Sequence, residues 1–260
     1  MRPGPRVQVE RLHTLAARGL ERRRLLQALP AAAALGVAAH AQAAVSVAEL
    51  ALVCDTTLGP AMGAAAAIYG NTTGVRVNVF ATAPGLIVPQ LERYVQNDIV
   101  VTQRVLMDKA VGAGVVAPGA AHGAWYNRLV VAARQGAPPT PAKPIAAADP
   151  SPASDMDGPA ILARLGMLPA AVLGVIDTDT VAALLLNGTA GMGLLHMTDI
   201  RAHPELKVMT MVPDAVAQPI GYAAAVTLLA RRPDPAGFVE FLGSAQAGTL
   251  FAAQGLTSES

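Results

Sequence analysis

Apolar runs of four to seven residues alternate along this chain with longer stretches of helical character. "ELALVC" (49–54) is a short continuous apolar run, the pattern of a strand buried on both faces. Thr57 reads as the N-cap of a following helix with Pro60 in its first turn. That helix continues through "MGAAAAIYG" to a stop near Gly70 and Asn71. "GVRVNVF" (74–80) alternates as a strand. "ATAPG" turns the chain, and Pro84 opens a helix over "GLIVPQLERYV", weakened by Pro89. "DIVVT" (98–102) is another buried strand, and "VLMDKAVGAG" a helix that ends in glycines.

The second half repeats the alternation. "WYNRLVVAAR" (125–134) predicts one long strand, and the proline-rich "QGAPPTPAKP" (135–144) an exposed loop. "PIAAADPS" is a strand entering a turn, and "DGPAILARLGML" a short helix. "AVLGVIDTDTVAALLLNG" is a strand, a turn and a helix. "AGMGLLHM", "LKVMTMV" and "PIGYAAAVTLLAR" (219–231) predict three more strands, and "DPAGFVEFLGS" and "AQAGTLFAAQG" two closing helices. Strand–helix alternation of this kind implies α/β architecture. Small polar residues follow strands at 54–57, 80–85, 149–155 and 175–179. In open α/β sheets ligands bind outside the carboxyl ends of the strands, so these four turns predict one polar crevice.

Composition changes the picture at the N-terminus. The formal charge of +1 hides two unlike parts: residues 1–43 hold seven arginines and two glutamates, and the remainder twelve basic against sixteen acidic residues. "ERRRLLQALPAAAALGVAAHAQA" has a basic start, a short apolar run and A-x-A sites ending at Ala41 and Ala43. It reads as a cleaved export signal over 1–43 rather than a membrane anchor, because Pro30 and Gly36 break an already short run. Arg22-Arg23 resembles a twin-arginine signal, and the choice between that route and general secretion stays open. A mildly acidic body argues against nucleic-acid binding. The only cysteine, Cys54, excludes an intramolecular disulfide and a zinc finger. Nothing in the spacing of Cys54, Asp55 and His196 calls for a metal or a cofactor. Aromatics reach only 3% against 53% hydrophobic residues, so the core is expected to consist of small aliphatic side chains.

The ordered segments "CDTTLGPAM", "TTGVRVNVFATAPGLIVPQLE", "NDIVVTQRVLMDKAVGAGVV", "YNRLVVAAR", "IAAADPSPAS", "ARLGML" and "FVEFLGSAQAGTLFAAQGL" carry a resemblance over residues 47–256. In sequence and spacing the chain resembles the periplasmic molybdate-binding proteins of ABC transporters, of the type II periplasmic-binding-protein fold. That resemblance implies two α/β lobes, each a mostly parallel sheet flanked by helices, with the ligand in a cleft between them. Lobe 1 would hold 44–126 and 215–260, and lobe 2 127–214. It implies a periplasmic monomer with no chemistry of its own, which delivers a small oxyanion such as molybdate or tungstate to a membrane permease. A sensory protein handing its ligand to another partner is the variant of that role.

Carried over residue by residue, the resemblance puts ligand-holding hydroxyls at Thr57, at Thr82 or Ala83 according to register, at Ser154 and at Thr178, with His196 where the family has a cleft Tyr. The acids are out of keeping. Asp55, Asp155, Asp157, Asp177 and Asp179 all lie within three residues of these positions. A carboxylate about 4 Å from a bound anion would repel it by roughly 4 kcal/mol at an effective dielectric of about 20. Asp177, Asp179, Asp155 and Asp157 have an alternative as helix caps and first-turn residues. Asp55, directly after a buried strand, has fewer ways out and counts as a candidate contact; acids turned inward would suit a neutral or cationic small molecule or a metal ion instead of an oxyanion. His196 is either a cleft-wall residue or a ligand contact. Some relatives resemble aconitate isomerases, and on that alternative His196 would be the base, with Thr57, Thr82 and Ser154 holding carboxylates.

Overall fold

The computed structural model describes residues 49–258 apart from 138–141, 151–155, 168–170 and 233. The export signal expected over 1–43 and the ligand contact expected at Ser154 lie outside the described residues.

The chain folds around two sheets. The first has the order β11-β4-β10-β3-β1-β2 and the second β7-β6-β8-β5-β9. In the first, β1 (Glu49–Asp55) lies between β2 (Arg76–Thr82) and β3 (Ile99–Gln103), parallel to both. Then β10 (Ile220–Val226) runs antiparallel to β3 and to β4 (His122–Asn127), and β11 (Leu256–Ser258) closes the edge. In the second, β6 (Ile145–Ala148) is parallel to β7 (Val172–Val175) and to β8 (Met192–His196). The remaining strand, β5 (Leu129–Arg134), is antiparallel to β8 and to β9 (Leu206–Met211). Both sheets are therefore mixed rather than mostly parallel. The long strands that carry the chain from one sheet to the other enter against the local direction.

The continuous strand expected over 125–134 is two strands in two sheets. Asn127 pairs with Ile220 and Leu256 in the first, and Leu129 with His196 in the second. Arg128 sits at the break, where its guanidinium donates to Asp214 at 2.7 Å. Asp214 belongs to the return passage between β9 and β10, so the ion pair ties the two crossings together. The strand expected over 219–231 stops at Val226. Thr227 next to it is buried and donates its hydroxyl to the carbonyl of Asn97.

Alternation along the strands sends side chains to opposite faces. From β1, Leu50, Leu52 and Cys54 join Met62, Tyr69, Phe238 and Phe251 on one face. Val53 joins Ile87, Leu91, Val100 and Met107 on the other. From β5, Leu129 and Val131 pack on one face and Val130 and Ala132 on the other. Helices cover both faces of each sheet, which is why the strands read as unbroken apolar runs. Burial, and then the negative charge of Asp55, push the Cys54 thiol up to about 12, so it is an inert core thiol.

Helix α1 (Gly59–Thr73) begins later than Thr57, after a 3₁₀ turn over Thr56–Leu58, and no side chain caps its start. It runs past Asn71 to Gly74, which takes the left-handed conformation (φ 76°) and returns its N–H to the carbonyl of Gly70. The other helices that bear on the site are α2 (Pro84–Glu92), α3 (Arg104–Gly112), α4 (Gly158–Arg164), α5 (Thr178–Leu186) and α6 (Met197–Ala202). Among the described residues, no helix is long and apolar enough to cross a membrane.

Candidate functional site

Every strand-to-helix junction that faces the gap between the two sheets brings a helix start with it. Thr56 and Thr57 follow β1, Ala83 and Pro84 follow β2, and Gln103 ends β3. From the second sheet come Asp177, Thr178 and Asp179 at the start of α5, and His196 at the end of β8. With Met156, Ile220 and Tyr222 these residues wall a single cavity. It leaves about 70 Å³ for the centre of a water-sized sphere, room for on the order of five waters. The starts of α2, α3 and α5 lie at this space, and a helix start favours negative charge because its first N–H groups have no partner within the helix. Among the described residues, no lysine or arginine lines it.

Four of the expected ligand contacts meet here, Thr57, Ala83, Thr178 and His196, together with the acids Asp177 and Asp179. Thr82 is not in the wall. Its hydroxyl accepts a hydrogen bond from Gln90 at 3.5 Å, and of the two positions it is Ala83, which brings no hydroxyl, that lines the cavity. Asp55 is not in the wall either. It shares the face of β1 that carries Val53, is fully buried, and accepts a 2.7 Å hydrogen bond from the hydroxyl of Thr102 on β3. The candidate contact at Asp55 is thereby corrected: strand alternation turns the carboxylate into the sheet packing and away from the gap.

The other acids divide. Asp177 is the N-cap of α5 and accepts from the backbone N–H and the hydroxyl of Thr180, at 2.8 and 2.6 Å. Asp157 caps α4 by accepting from the N–H of Ala160 at 3.0 Å. Asp179 lines the cavity from the first turn of α5. Burial first, then the charges of Asp199 and Asp177, push its carboxyl above the ordinary aspartate range. Asp155 lies outside the described residues.

Polar side chains behind the wall fix its shape. Tyr222, fully buried on β10, has its hydroxyl 3.4 Å from that of Thr57 and also bonds Asn127. Burial, and then the charge of Asp55, raise its phenol far above the usual tyrosine value, so it stays a neutral donor. Asn127, at the end of β4, donates to the hydroxyl of Thr198 on α6 at 2.8 Å, which links the first sheet to the second. Asp199 accepts the backbone N–H of His196 at 2.9 Å and faces its Nδ1 at 3.3 Å. The two contacts hold the ring of His196 at the start of α6, where it and Asp199 form a capping box. Sequence reading missed Thr56, Gln103 and Tyr222. The one available signal was a lone tyrosine in the alanine run "GYAAAV".

A cavity between two α/β sheets, walled by their strand ends and bridged by two crossings, defines a two-lobe solute-binding protein. The family model described as bacterial extracellular solute-binding protein matches residues 50–257, and the chain belongs to that family. Its fold is similar to that of the Azotobacter vinelandii periplasmic molybdate-binding protein, with a TM-score of 0.66 and 16% identity over 81% of this chain and 100% of that one. The sulfate-binding protein SubI from Mycobacterium tuberculosis H37Rv is similar with a TM-score of 0.65 and 15% identity, over 81% of this chain and 87% of that one. In sequence, an aconitate isomerase from a Pseudomonas species is 24% identical over 209 residues, spanning 72% of this chain and 79% of the relative.

Proposed function

We propose that this protein captures a small oxyanion, or a closely related small anionic solute, in the cavity between its sheets and delivers it to the membrane permease of an ABC-type uptake system. The family gives the solute-binding role. The observation that carries the ligand class is the convergence of three helix starts and the hydroxyls of Thr56, Thr57 and Thr178 on a space of a few non-hydrogen atoms. Oxyanions are held in this way without a paired cation. Export through a cleaved signal over 1–43, by the twin-arginine or the general route, belongs to the same proposal, as does action as a monomer. So do a first lobe over 44–126 and 215–260 and a second over 127–214.

A thermal-shift panel of molybdate, tungstate, sulfate, phosphate and small carboxylates tests the ligand class. An anion at a hundred times its Kd stabilises the folded state by about 2.7 kcal/mol, which in a protein of this size raises Tm by roughly 5–10 °C. No shift with any anion at millimolar concentration overturns the anion reading.

The His196–Asp199 pair, together with the isomerase relative, supports a second reading: proton transfer on a small carboxylate, with His196 as base. The cavity is narrow for a tricarboxylate, which ranks this reading second. Aconitate incubated in D2O with a stoichiometric amount of protein and followed by NMR should then take up deuterium; absence of uptake removes the isomerase.

A further inference from the structure

The two lobes touch outside the cavity as well as around it, and the outer contact gathers at the start of α6. That helix belongs to the second lobe, where Met197 and Ile200 pack against the core that holds Val130 and Leu195. Its first residues are docked on the first lobe. Asn127, fully buried at the end of β4, donates from Nδ2 to the hydroxyl of Thr198 at 2.8 Å and accepts the N–H of Thr198 at 3.4 Å. Gly255, in the turn before β11, lies so close to Met197 that a Cβ there would come 2.9 Å from its Cγ and 3.0 Å from its carbonyl oxygen. The φ of +89° at this position favours glycine in any case. Asn127, Met197, Thr198 and Gly255 are not among the residues that wall the cavity. These contacts join protein to protein, and no part of them has to pass through a bound solute.

They also span the crossing between the sheets. The N–H of Met197 donates to the carbonyl of Arg128 at 2.9 Å, which fixes the start of α6 to the second-lobe side. Asn127, one residue earlier, is paired into the first sheet opposite Ile220 and Leu256. Turning one sheet against the other at this point draws the amide of Asn127 off Thr198 and Gly255 off Met197. Asn127 and Thr198 are both buried, so their bond is made only while the lobes are together and is exchanged for water when they part. The same amide bonds Tyr222, whose hydroxyl lies 3.4 Å from that of Thr57 in the cavity wall. We propose that the start of α6 is a latch that holds the two lobes at their closed separation independently of the solute, with Asn127 and Thr198 as positioning residues that set how much of the ligand-free protein is ready to bind. A protein whose competent form is only partly populated binds more weakly by that fraction. The latch therefore raises affinity from outside the cavity, and this consequence, unlike the latch itself, rests on the reading of the cavity as the solute site.

A pair of spin labels reads the latch directly. Cys54 is buried and inert, so Ala67→Cys on α1 and Ala163→Cys on α4, both exposed, place one label on each lobe. Double electron–electron resonance on the ligand-free protein should give a single distance. Thr198→Val keeps the shape and removes the hydroxyl. It should add a longer distance and raise the ratio of open to closed protein roughly tenfold, the effect of leaving one buried amide donor unpaired in the closed form. Thr198→Ser, which retains the hydroxyl, should keep the single distance. Gly255→Ala drives a methyl group into Met197 from the other lobe and should open the protein in the same direction. A protein without these substitutions that already spreads over both distances, or a distribution unmoved in Thr198→Val or in Gly255→Ala, overturns the latch. Calorimetric titration of the same proteins with molybdate and with phosphate is the second arm: Kd should rise by the factor by which the closed fraction falls. An unchanged Kd in a variant that opens overturns the part played in capture. Failure of both anions to bind the parent protein counts against the anion reading alone, and the distances still decide the latch.

Discussion

Phe238→Ala lowers the stability of the folded protein by about 3–5 kcal/mol, the range for emptying a fully packed aromatic site. Tm falls with it by roughly 10 °C or more. Phe238, on the helix Pro235–Leu242, is fully buried and packs edge-on against Tyr69, with ring centroids 5.1 Å apart and planes at 79°. Such pairs add to the area they bury. The cost lies at the upper end because of what surrounds the ring. The chain has only four phenylalanines and one tryptophan, and the core on this face of the first sheet includes Ala61, Ala65, Ala66 and Ala247. Short side chains have no spare rotamers with which to fill the hole. Differential scanning calorimetry reads the change directly, and a loss below about 1 kcal/mol would mean that the helix can collapse onto the sheet after all.

The two-lobe α/β plan was legible because its signals are local: apolar runs of strand length, prolines and small polar residues at helix starts, and glycines at helix ends. The cap at Asp177 was legible for the same reason, since an aspartate three residues ahead of a free N–H makes its bond within one turn. What failed to show depended on partners far away in sequence. The break at Arg128 lies inside a run with no glycine or proline, and only pairing to Ile220 on one side and His196 on the other divides it. Thr57 reads as a helix cap, yet its hydroxyl turns to Tyr222, which is 165 residues further on. Asp55 reads as a ligand contact because it follows a buried strand, and its true partner is Thr102 on the neighbouring strand. Tyr222 itself is one polar group in a run of small residues, and its place in the cavity wall follows from β10 lying beside β3 with its end at the gap. Of the acids that made an anion site look doubtful, Asp55 is a core residue, Asp157 and Asp177 are caps, and Asp177 and Asp179 line the cavity, while Asp155 lies outside the described residues.

Thr57→Asp puts a carboxylate in the cavity wall where the proposed anion would sit, and it is expected to cut anion affinity on the order of a thousandfold. That is the effect of two like charges about 4 Å apart at an effective dielectric of about 20. The same change should not unfold the protein. An acid at a helix start meets the positive end of the dipole and gains a few tenths of a kcal/mol, and the neutral phenol of Tyr222, 3.4 Å from the present hydroxyl, is there to donate to it. Affinity and stability therefore move independently, which a general packing defect cannot mimic. Thr57→Ser keeps the hydroxyl and should bind within about threefold of the wild type. Calorimetric titration with whichever anion shifts the wild-type Tm most, alongside a melt of each variant, reads both quantities. If Thr57→Asp bound that anion as well as Thr57→Ser does, the anion would have to sit elsewhere, and the convergence of helix starts on this cavity would be a matter of folding alone.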